Sequence, residues 1–288
     1  MNQFRQPSKL RTLLILGRVS NLPTVWSDCL AAWWLGGGGG VWTLVCVSAA
    51  CSFLYIGGMY LNDAFDASFD RNHRRNRPIP SGAITEREVW QWGIAWMLVG
   101  VAGVAWLGKT TTILMLALSA CVLVYNAIHK MTPLAPLVMG VCRLGVYLVA
   151  ASAATYGVDG EIVWKGLALA VYIAGLSWLA RKESGHAQIN YLPCILLAAP
   201  ILIAWCIDDG SWTRNAAIFS AILGGWSIWA VTRSLGRNGH VGFTIGRLLA
   251  GVVLVDLLAV AGAISPWVAL FALWFVLALL LQRFIPAT

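Results

Sequence analysis

The sequence predicts an all-α, polytopic membrane bundle of nine to ten transmembrane helices around a central cavity. Of the 288 residues, 59% are hydrophobic and only 11% are charged, whereas a soluble domain carries about 25% charged residues. The apolar residues are gathered in long runs, and a spanning helix needs roughly 20 of them. Basic residues fall in alternate gaps between the runs. We therefore expect a single membrane domain over residues 1–288.

The apolar runs give the expected spans. The gaps between them hold turn and breaker residues, including the glycines from Gly36 to Gly40 and the pair Pro78 and Pro80. Only a short apolar link around Pro266 separates the last two runs. They could instead form one broken or re-entrant element, so the sequence is compatible with nine crossings as well as ten. The runs lie near residues 13–35, 41–61, 88–107, 111–128, 134–156, 162–180, 190–207, 214–232, 246–263 and 266–283.

The basic residues predict how the bundle is oriented. If the N-terminus is cytoplasmic, only Lys109, Lys165 and Arg214 fall on the far side, Arg143 lies within a span, and all other Lys and Arg residues are cytoplasmic. Such a bias is typical of inner loops. We expect an integral, multi-pass protein with a cytoplasmic N-terminus and polar site, in the plasma membrane if prokaryotic. This reading accounts for the net charge of +8 without a nucleic-acid partner.

The most informative polar segment begins at Asn62 and reads NDAFDASFDRNHRRNRPIPSG. Asp63, Asp66 and Asp70 are spaced by three and four residues, which places them on one face of a helix. Three carboxylates on one face repel each other unless they share a divalent cation. Mg²⁺ suits them because it prefers oxygen ligands and is completed by phosphate groups. The three aspartates are the candidate catalytic residues, and together with Asn62 they are the candidate metal ligands.

Arginines follow this acidic face directly, at Arg71, Arg74, Arg75 and Arg77. The planar guanidinium group matches the oxygens of phosphate. A metal-binding face beside an arginine cluster is what a diphosphate site requires, and we expect Arg75 and Arg77 to bind substrate. The competing interpretation is an ordinary polar loop of mixed charge.

The segment resembles the first aspartate motif of the UbiA superfamily of intramembrane prenyltransferases, which is NDxxDxxxD followed by RP and a glycine. The resemblance covers essentially the whole chain. It implies an all-helical bundle around a central cavity, with Mg²⁺ as cofactor and membrane lipid around it. It also implies that an isoprenoid diphosphate is ionised and that its prenyl group passes to a small or lipidic acceptor.

Further residues extend the resemblance. Arg18 and Asn21, in GRVSNLPTVWSD, are similar to an Arg-x-x-Asn element that faces the cavity near the diphosphate. The stretch YNAIHK resembles the family's Tyr and Lys before the fifth span, which makes Lys130 a candidate phosphate ligand; the alternative is a positive-inside anchor. Arg143 is a candidate cavity residue because a charge inside a span is costly and usually faces an interior.

The sequence departs from the family at its second aspartate motif. An acidic pair is usual there, but this chain reads LARKESGHAQIN, in which Glu183 is the one acidic residue. We therefore expect one Mg²⁺ instead of two, with Arg181 and Lys182 binding phosphate directly. This feature and the stretch SNLPTVWSD resemble a divergent subgroup associated with secondary-metabolite gene clusters of the Ebo type.

Two functions of other classes stand beside the prenyltransferase. The first is a non-catalytic binder or carrier of an isoprenoid or lipid diphosphate in metabolite transport. The altered second motif favours it, and the intact first motif disfavours it. The second is a transporter, which would show inverted repeats with broken helices, and the sequence has no such internal symmetry. The acceptor and the prenyl chain length stay open.

The charge bias makes the orientation testable. Reporter fusions after Arg77, Lys130 and Lys182 should report the cytoplasm, because basic residues surround each of these sites. Fusions near Gly38 and Asp159 should report the opposite side. A cytoplasmic signal at Gly38 would overturn the assignment.

Overall fold

A computed structural model of the chain describes residues 8–182, 192–207, 214–234, 241–262 and 267–287, which form α-helices joined by short turns. These ranges contain no β-strand, so the all-α prediction is confirmed for them. A short 3₁₀ helix, Val19–Asn21, separates the first two helices. The helices are α1 Lys9–Leu16, α2 Leu22–Leu35, α3 Val41–Phe65, α4 Ala67–His73, α5 Glu86–Val104, α6 Lys109–Ile128, α7 Ala135–Ser152, α8 Gly160–Lys182, α9 Leu192–Leu196, α10 Ala199–Ile207, α11 Arg214–Ser234, α12 Val241–Ala250, α13 Val252–Ala259 and α14 Val268–Leu281.

Six stretches of the described helices are long and apolar enough to cross a membrane, and α14 is a shorter apolar helix. The count of nine to ten is therefore not confirmed. The run expected at 13–35 is divided by the turn before α2, and the run at 190–207 is divided between α9 and α10. The six stretches are Val41–Phe65, Lys109–Ile128, Ala135–Ser152, Gly160–Arg181, Arg214–Arg233 and Gly242–Ala259.

Local sequence explains several helix ends. The side chain of Thr85 accepts a hydrogen bond from the Glu88 amide at 3.3 Å, and the Glu88 carboxylate accepts one from the Thr85 amide at 3.0 Å. This capping box starts α5. The Asp159 carboxylate accepts the Ile162 amide at 2.8 Å at the start of α8. Pro23 lies in the first turn of α2, where its missing N–H is not needed.

Close packing between helices holds the bundle together. Helix α3 lies along α5, and α7 packs between α2 and α8. At the contact of α3 with α5, a Cβ atom on Gly57 would meet the Gly93 carbonyl oxygen at 2.7 Å and the Met97 side chain at 2.8 Å. Glycine is needed there because small residues let two membrane helices approach closely.

Large apolar side chains cover the outside of the bundle. In water so much apolar surface would be unfavourable, whereas lipid chains accommodate it. Together with the long apolar helices, this surface is that of an integral membrane protein. Examples are Trp42, Leu98, Trp106, Ile113 and Ile228, all more than half exposed.

Candidate functional site

A cavity of about 1210 Å³ lies among α2, α3, α4, α6, α7 and α8. One end, which we call the mouth, is polar. Much of the remaining lining is apolar, and we call these side chains the apolar wall. The mouth is lined by Arg18, Asn62, Asp63, Asp66, Asp70, Arg74, Arg77, His129, Lys130 and Arg181. The apolar wall consists of Val25, Leu54, Val122, Met139, Val146, Ile173, Leu176, Ile245 and Leu249.

The aspartates reach the mouth because the chain stays nearly helical where α3 ends. Asp66 lies between α3 and α4 with φ −84° and ψ −6°. Its amide donates to the Asn62 carbonyl at 3.0 Å, and the Asp70 amide donates to the Asp66 carbonyl at 2.9 Å. The spacing of three and four residues is thus preserved across the break. Asn62, Asp63, Asp66 and Asp70 all line the cavity, and their binding of a metal stays a prediction.

Asp63 is held by two arginines. Its carboxylate lies 3.3 Å from Arg18 and 3.8 Å from Arg77. Arg18 also donates to the Asn62 side-chain oxygen at 3.2 Å. The backbone of Arg18 has φ +42°, a left-handed conformation that is strained for a residue other than glycine. This turn separates α1 from the 3₁₀ helix at the edge of the cavity.

Asp66 has two partners from the end of α6 and the turn that follows it. Lys130 Nζ lies 2.6 Å from the carboxylate, and His129 Nε2 lies 3.2 Å from it. Burial alone would raise the pKa of Asp66, but the hydrogen bonds from His129 and Lys130 outweigh burial and leave the pKa below its usual value. Asp66 is thus a stable anion.

Asp70 differs from the other two aspartates. Its residue is 4% exposed, and its carboxylate forms no hydrogen bond or ion pair with any described residue. Burial raises the pKa of Asp70, and the nearby Asp66 charge adds to the rise despite Arg77 and Lys130. A buried carboxylate without a close cation is costly. Asp70 is therefore the acidic group of the mouth that most needs a cation from outside the chain.

The mouth as a whole carries an excess of positive charge. Its described lining contains three aspartates and five basic residues, the latter being Arg18, Arg74, Arg77, Lys130 and Arg181. Burial, followed by repulsion from Arg18, lowers the pKa of Arg77, so these cations are held close together against their mutual repulsion. An anion between them would relieve it.

The oxygen ligands at the mouth fit Mg²⁺ only in combination with a phosphate-bearing ligand. Within the described ranges, no three His, Cys, Asp or Glu side chains converge closely enough to hold a metal. Mg²⁺ does not require such a cage, since it is usually bound by one or two carboxylates, water and substrate phosphates. Asp70 and Asn62 supply oxygens of the right chemistry.

The structure changes which arginines of the cluster line the cavity. Arg75 is exposed and does not line the cavity, whereas Arg74, which was not singled out, does. The reason is that α4 ends at His73, so Arg74 and Arg75 lie in the turn that follows the helix. Arg181 lines the mouth and donates to the Thr132 carbonyl at 2.6 Å. The side chain of Lys182 and all of Glu183 lie outside the described residues.

Arg143 and Asn21 line the cavity as predicted, but away from the aspartates. Arg143 forms an ion pair with the buried Asp28 and donates to Thr24 Oγ1 at 3.0 Å. Its charge therefore has a partner within the protein, and its role in binding substrate stays a prediction.

Two further polar residues line the cavity without having been candidates in the sequence analysis. Asn126 donates to the Gly58 carbonyl at 2.9 Å and accepts from the Asn62 side chain at 3.2 Å. His129 contacts Asp66. The signal was present, because Asn126, His129 and Lys130 have the spacing of one helix face.

Comparison with known proteins agrees with this architecture. Residues 20–196 match the UbiA prenyltransferase family. The 4-hydroxybenzoate octaprenyltransferase of Photobacterium profundum is 30% identical over 172 residues, covering 58% of this chain and 56% of that protein. The corresponding enzyme of Salmonella paratyphi B is 28% identical over 170 residues, with the same shares covered. The chain thus spans about half the length of the curated relatives it matches.

Solved structures share the fold. A UbiA homolog from Aeropyrum pernix K1 superposes with a TM-score of 0.66 at 21% identity, covering 84% of this chain and 96% of that one. A UbiA homolog from Archaeoglobus fulgidus, bound to GPP and Mg²⁺, gives a TM-score of 0.55 at 14% identity over 95% and 97% of the two chains. Because the family match covers more than half of the sequence, this protein belongs to the UbiA prenyltransferase family.

Proposed function

We propose that the protein is a membrane prenyltransferase that binds an isoprenoid diphosphate with Mg²⁺, ionises it and transfers the prenyl group to an acceptor. One observation carries this proposal: a single cavity joins a cationic mouth with oxygen ligands to an apolar wall. A ligand with an anionic head and an apolar chain matches both parts. We further propose that residues 1–288 act as one domain with the mouth at the cytoplasmic side.

The mouth would bind the diphosphate by charge and hydrogen bonding. Arg18 and Arg77 present guanidinium groups beside Asp63, and Lys130 presents its ammonium group beside Asp66. When the bond between the prenyl carbon and oxygen breaks, the electron pair stays on the diphosphate. Cations already in place stabilise this developing charge. Asn62, Asp63, Asp66 and Asp70 would hold Mg²⁺, whose chemical contribution is to neutralise the leaving group.

The apolar wall would protect the allylic cation. Leu54 and Val25 are almost fully buried, and Val122, Met139 and Leu176 continue the same lining. These side chains offer no hydrogen bond to water, and exclusion of water prevents hydrolysis of a reactive intermediate. The acceptor then gives an electron pair to the cation and releases one proton to solvent or diphosphate.

Two findings on relatives support the proposal. The curated relatives are named for octaprenyl transfer to 4-hydroxybenzoate, and the Archaeoglobus homolog binds GPP and Mg²⁺. In place of a second acidic motif, we propose that Arg181 and Lys182 neutralise part of the diphosphate charge. The position of Arg181 at the mouth supports this role.

A non-catalytic diphosphate carrier is the second candidate, and one observation favours it. Asp63 and Asp66 already have basic partners within the protein, so both are satisfied without metal. Purified protein with Mg²⁺, labelled prenyl diphosphates and a panel of acceptors separates the two functions. A transferase releases diphosphate and forms product. Tight binding without release, whatever the acceptor, would identify a carrier.

Asp70 provides a test of the metal site. We expect Asp70→Asn to weaken Mg²⁺-dependent binding of geranyl diphosphate by about tenfold or more, ~1.4 kcal/mol, because this carboxylate has no hydrogen-bond or ion-pair partner among the described residues. Binding in the presence of a chelator should change little. Glu86→Gln is the matched control, since Glu86 is ion-paired with Arg71 at 2.6 Å outside the cavity. Equal effects of the two changes would contradict the proposed metal site.

Arg75 and Arg77 provide a second matched pair. Arg77→Gln should weaken diphosphate binding by about ten- to a hundredfold, because a hydrogen bond to a charged group contributes ~1.5–3 kcal/mol. Arg75→Gln should have little effect, since Arg75 is exposed away from the cavity. Equilibrium binding at constant salt measures both. Comparable losses would show that the arginines act only through net charge.

A further inference from the structure

A second polar group lies deeper in the cavity, and we call its members Asn21, Tyr55 and Arg143 the inner polar patch. Asn21 Nδ2 donates to the Tyr55 hydroxyl at 3.1 Å, and the Arg143 guanidinium lies 6.0 Å from the Tyr55 ring. Tyr55 precedes Asn62 by seven residues in α3, which corresponds to about 10 Å along the helix axis. The patch is thus separate from the mouth.

From this patch we infer that the cavity takes an uncharged acceptor bearing hydroxyl or amide groups, in preference to a carboxylate. The inference rests on the proposed function, because it names the acceptor class of the same site. The distance of about 10 Å leaves room for a diphosphate at the mouth and a small acceptor at the patch, with the allylic carbon between them.

Asn21 supplies a hydrogen-bond acceptor that nothing in the described chain uses. Its residue is 3% exposed, and its Oδ1 atom is buried without a hydrogen-bond partner. The orientation of the amide is determined by the Ala287 carbonyl, which receives Nδ2 at 3.0 Å and can only accept. An unpaired buried carbonyl is costly. A ligand hydroxyl or amide N–H would satisfy it.

Tyr55 and Arg143 supply the complementary donors. The Tyr55 hydroxyl accepts from Asn21, and its own hydrogen has no acceptor among the described residues. Arg143 directs one nitrogen at Asp28 and another at Thr24, and a guanidinium has five N–H donors. The patch therefore offers both hydrogen-bond donors and an acceptor. This matches a ligand hydroxyl or amide group, which can both donate and accept hydrogen bonds.

The charge of Arg143 is already matched by Asp28, and this disfavours a ligand carboxylate. Asp28 is fully buried against it. A second carboxyl, that of Asp256, is also fully buried nearby and binds Ser27 and Tyr147. One cation thus faces two acidic groups. A ligand carboxylate at the inner polar patch would add negative charge where no described residue of the patch offers an unpaired cation, and burying an unpaired charge is strongly unfavourable.

Equilibrium binding to matched ligand pairs tests the inference without requiring turnover. The full chain in nanodiscs, with Mg²⁺ and a non-hydrolysable prenyl diphosphate analogue, is titrated with 4-hydroxybenzamide and with 4-hydroxybenzoate. Glycerol and glycerate form the second pair. We expect the neutral member of at least one pair to bind about tenfold tighter or more, and no carboxylate to be preferred. Equal binding, preference for a carboxylate, or binding of no ligand would overturn the inference.

Variants test the cause of the preference. Asp28→Asn removes the charged partner of Arg143. It should shift the ratio of the affinities for the neutral and the carboxylate ligand toward the carboxylate by about tenfold or more. Tyr55→Phe keeps the aromatic ring but removes the hydroxyl, and it should weaken the binding of 4-hydroxybenzamide several-fold. If Asp28→Asn does not fold, the result for Tyr55→Phe decides the test. Glu161→Gln, which breaks the exposed ion pair with Lys165, is the control and should leave the ratio unchanged. An unaltered ratio in both test variants would overturn the inference.

The same preparations separate this inference from the proposed function. Diphosphate release with a carboxylate as the preferred acceptor would contradict the inferred acceptor class but support the proposed transferase function. Selective binding of the neutral ligand, without binding of any prenyl diphosphate and without release of diphosphate, would support the inference about the inner polar patch. The same result would contradict the proposed transferase function.

Discussion

The cost of placing charge inside an apolar bundle governs this structure. An ionised group taken out of water is tolerated only when another charge or several hydrogen bonds compensate it. Asp28 is compensated by Arg143, Asp63 by Arg18, and Asp66 by Lys130. Asp70 is the exception among the described aspartates of the mouth. The places where compensation is incomplete are those where a ligand has something to contribute.

The same constraint explains why the cavity has two polar regions of different character. The mouth holds more basic than acidic residues and is suited to an anion. The inner polar patch holds one cation that is already paired, together with the unpaired oxygen of Asn21. The apolar wall of the same cavity has no hydrogen-bonding groups for water. Under the proposed function, one cavity would receive an anionic leaving group at the mouth and an uncharged nucleophile at the inner polar patch.

Much of the site follows from helix periodicity, and the exceptions occur where helices end. The spacing of Asp63, Asp66 and Asp70 predicts one face, and the structure preserves it across the break at Asp66. Arg75 lies outside the cavity because the chain leaves the helix at His73, and helix periodicity does not predict the direction of a side chain in a turn. Hydropathy likewise predicts the α-helical class but not the breaks within a run.

Pairing between distant residues could not be read from the sequence. Asp28 and Arg143 are 115 positions apart and meet only because α2 packs against α7. The unpaired oxygen of Asn21 depends on the carbonyl of Ala287, which lies near the end of the described chain. Such features arise from packing between distant helices. The aspartate motif, in contrast, is local, and its spacing in the sequence is enough to predict a shared helix face.

The central claim is that one cavity binds the diphosphate at its mouth and the prenyl chain along its apolar wall. An experimental structure with Mg²⁺ and a non-hydrolysable prenyl diphosphate analogue tests it most directly. The account predicts the diphosphate within hydrogen-bonding distance of Arg18 and Arg77, metal density beside Asp70, and the chain against Leu54 and Leu176. A head group at the inner polar patch, or an analogue bound outside the cavity, would contradict it.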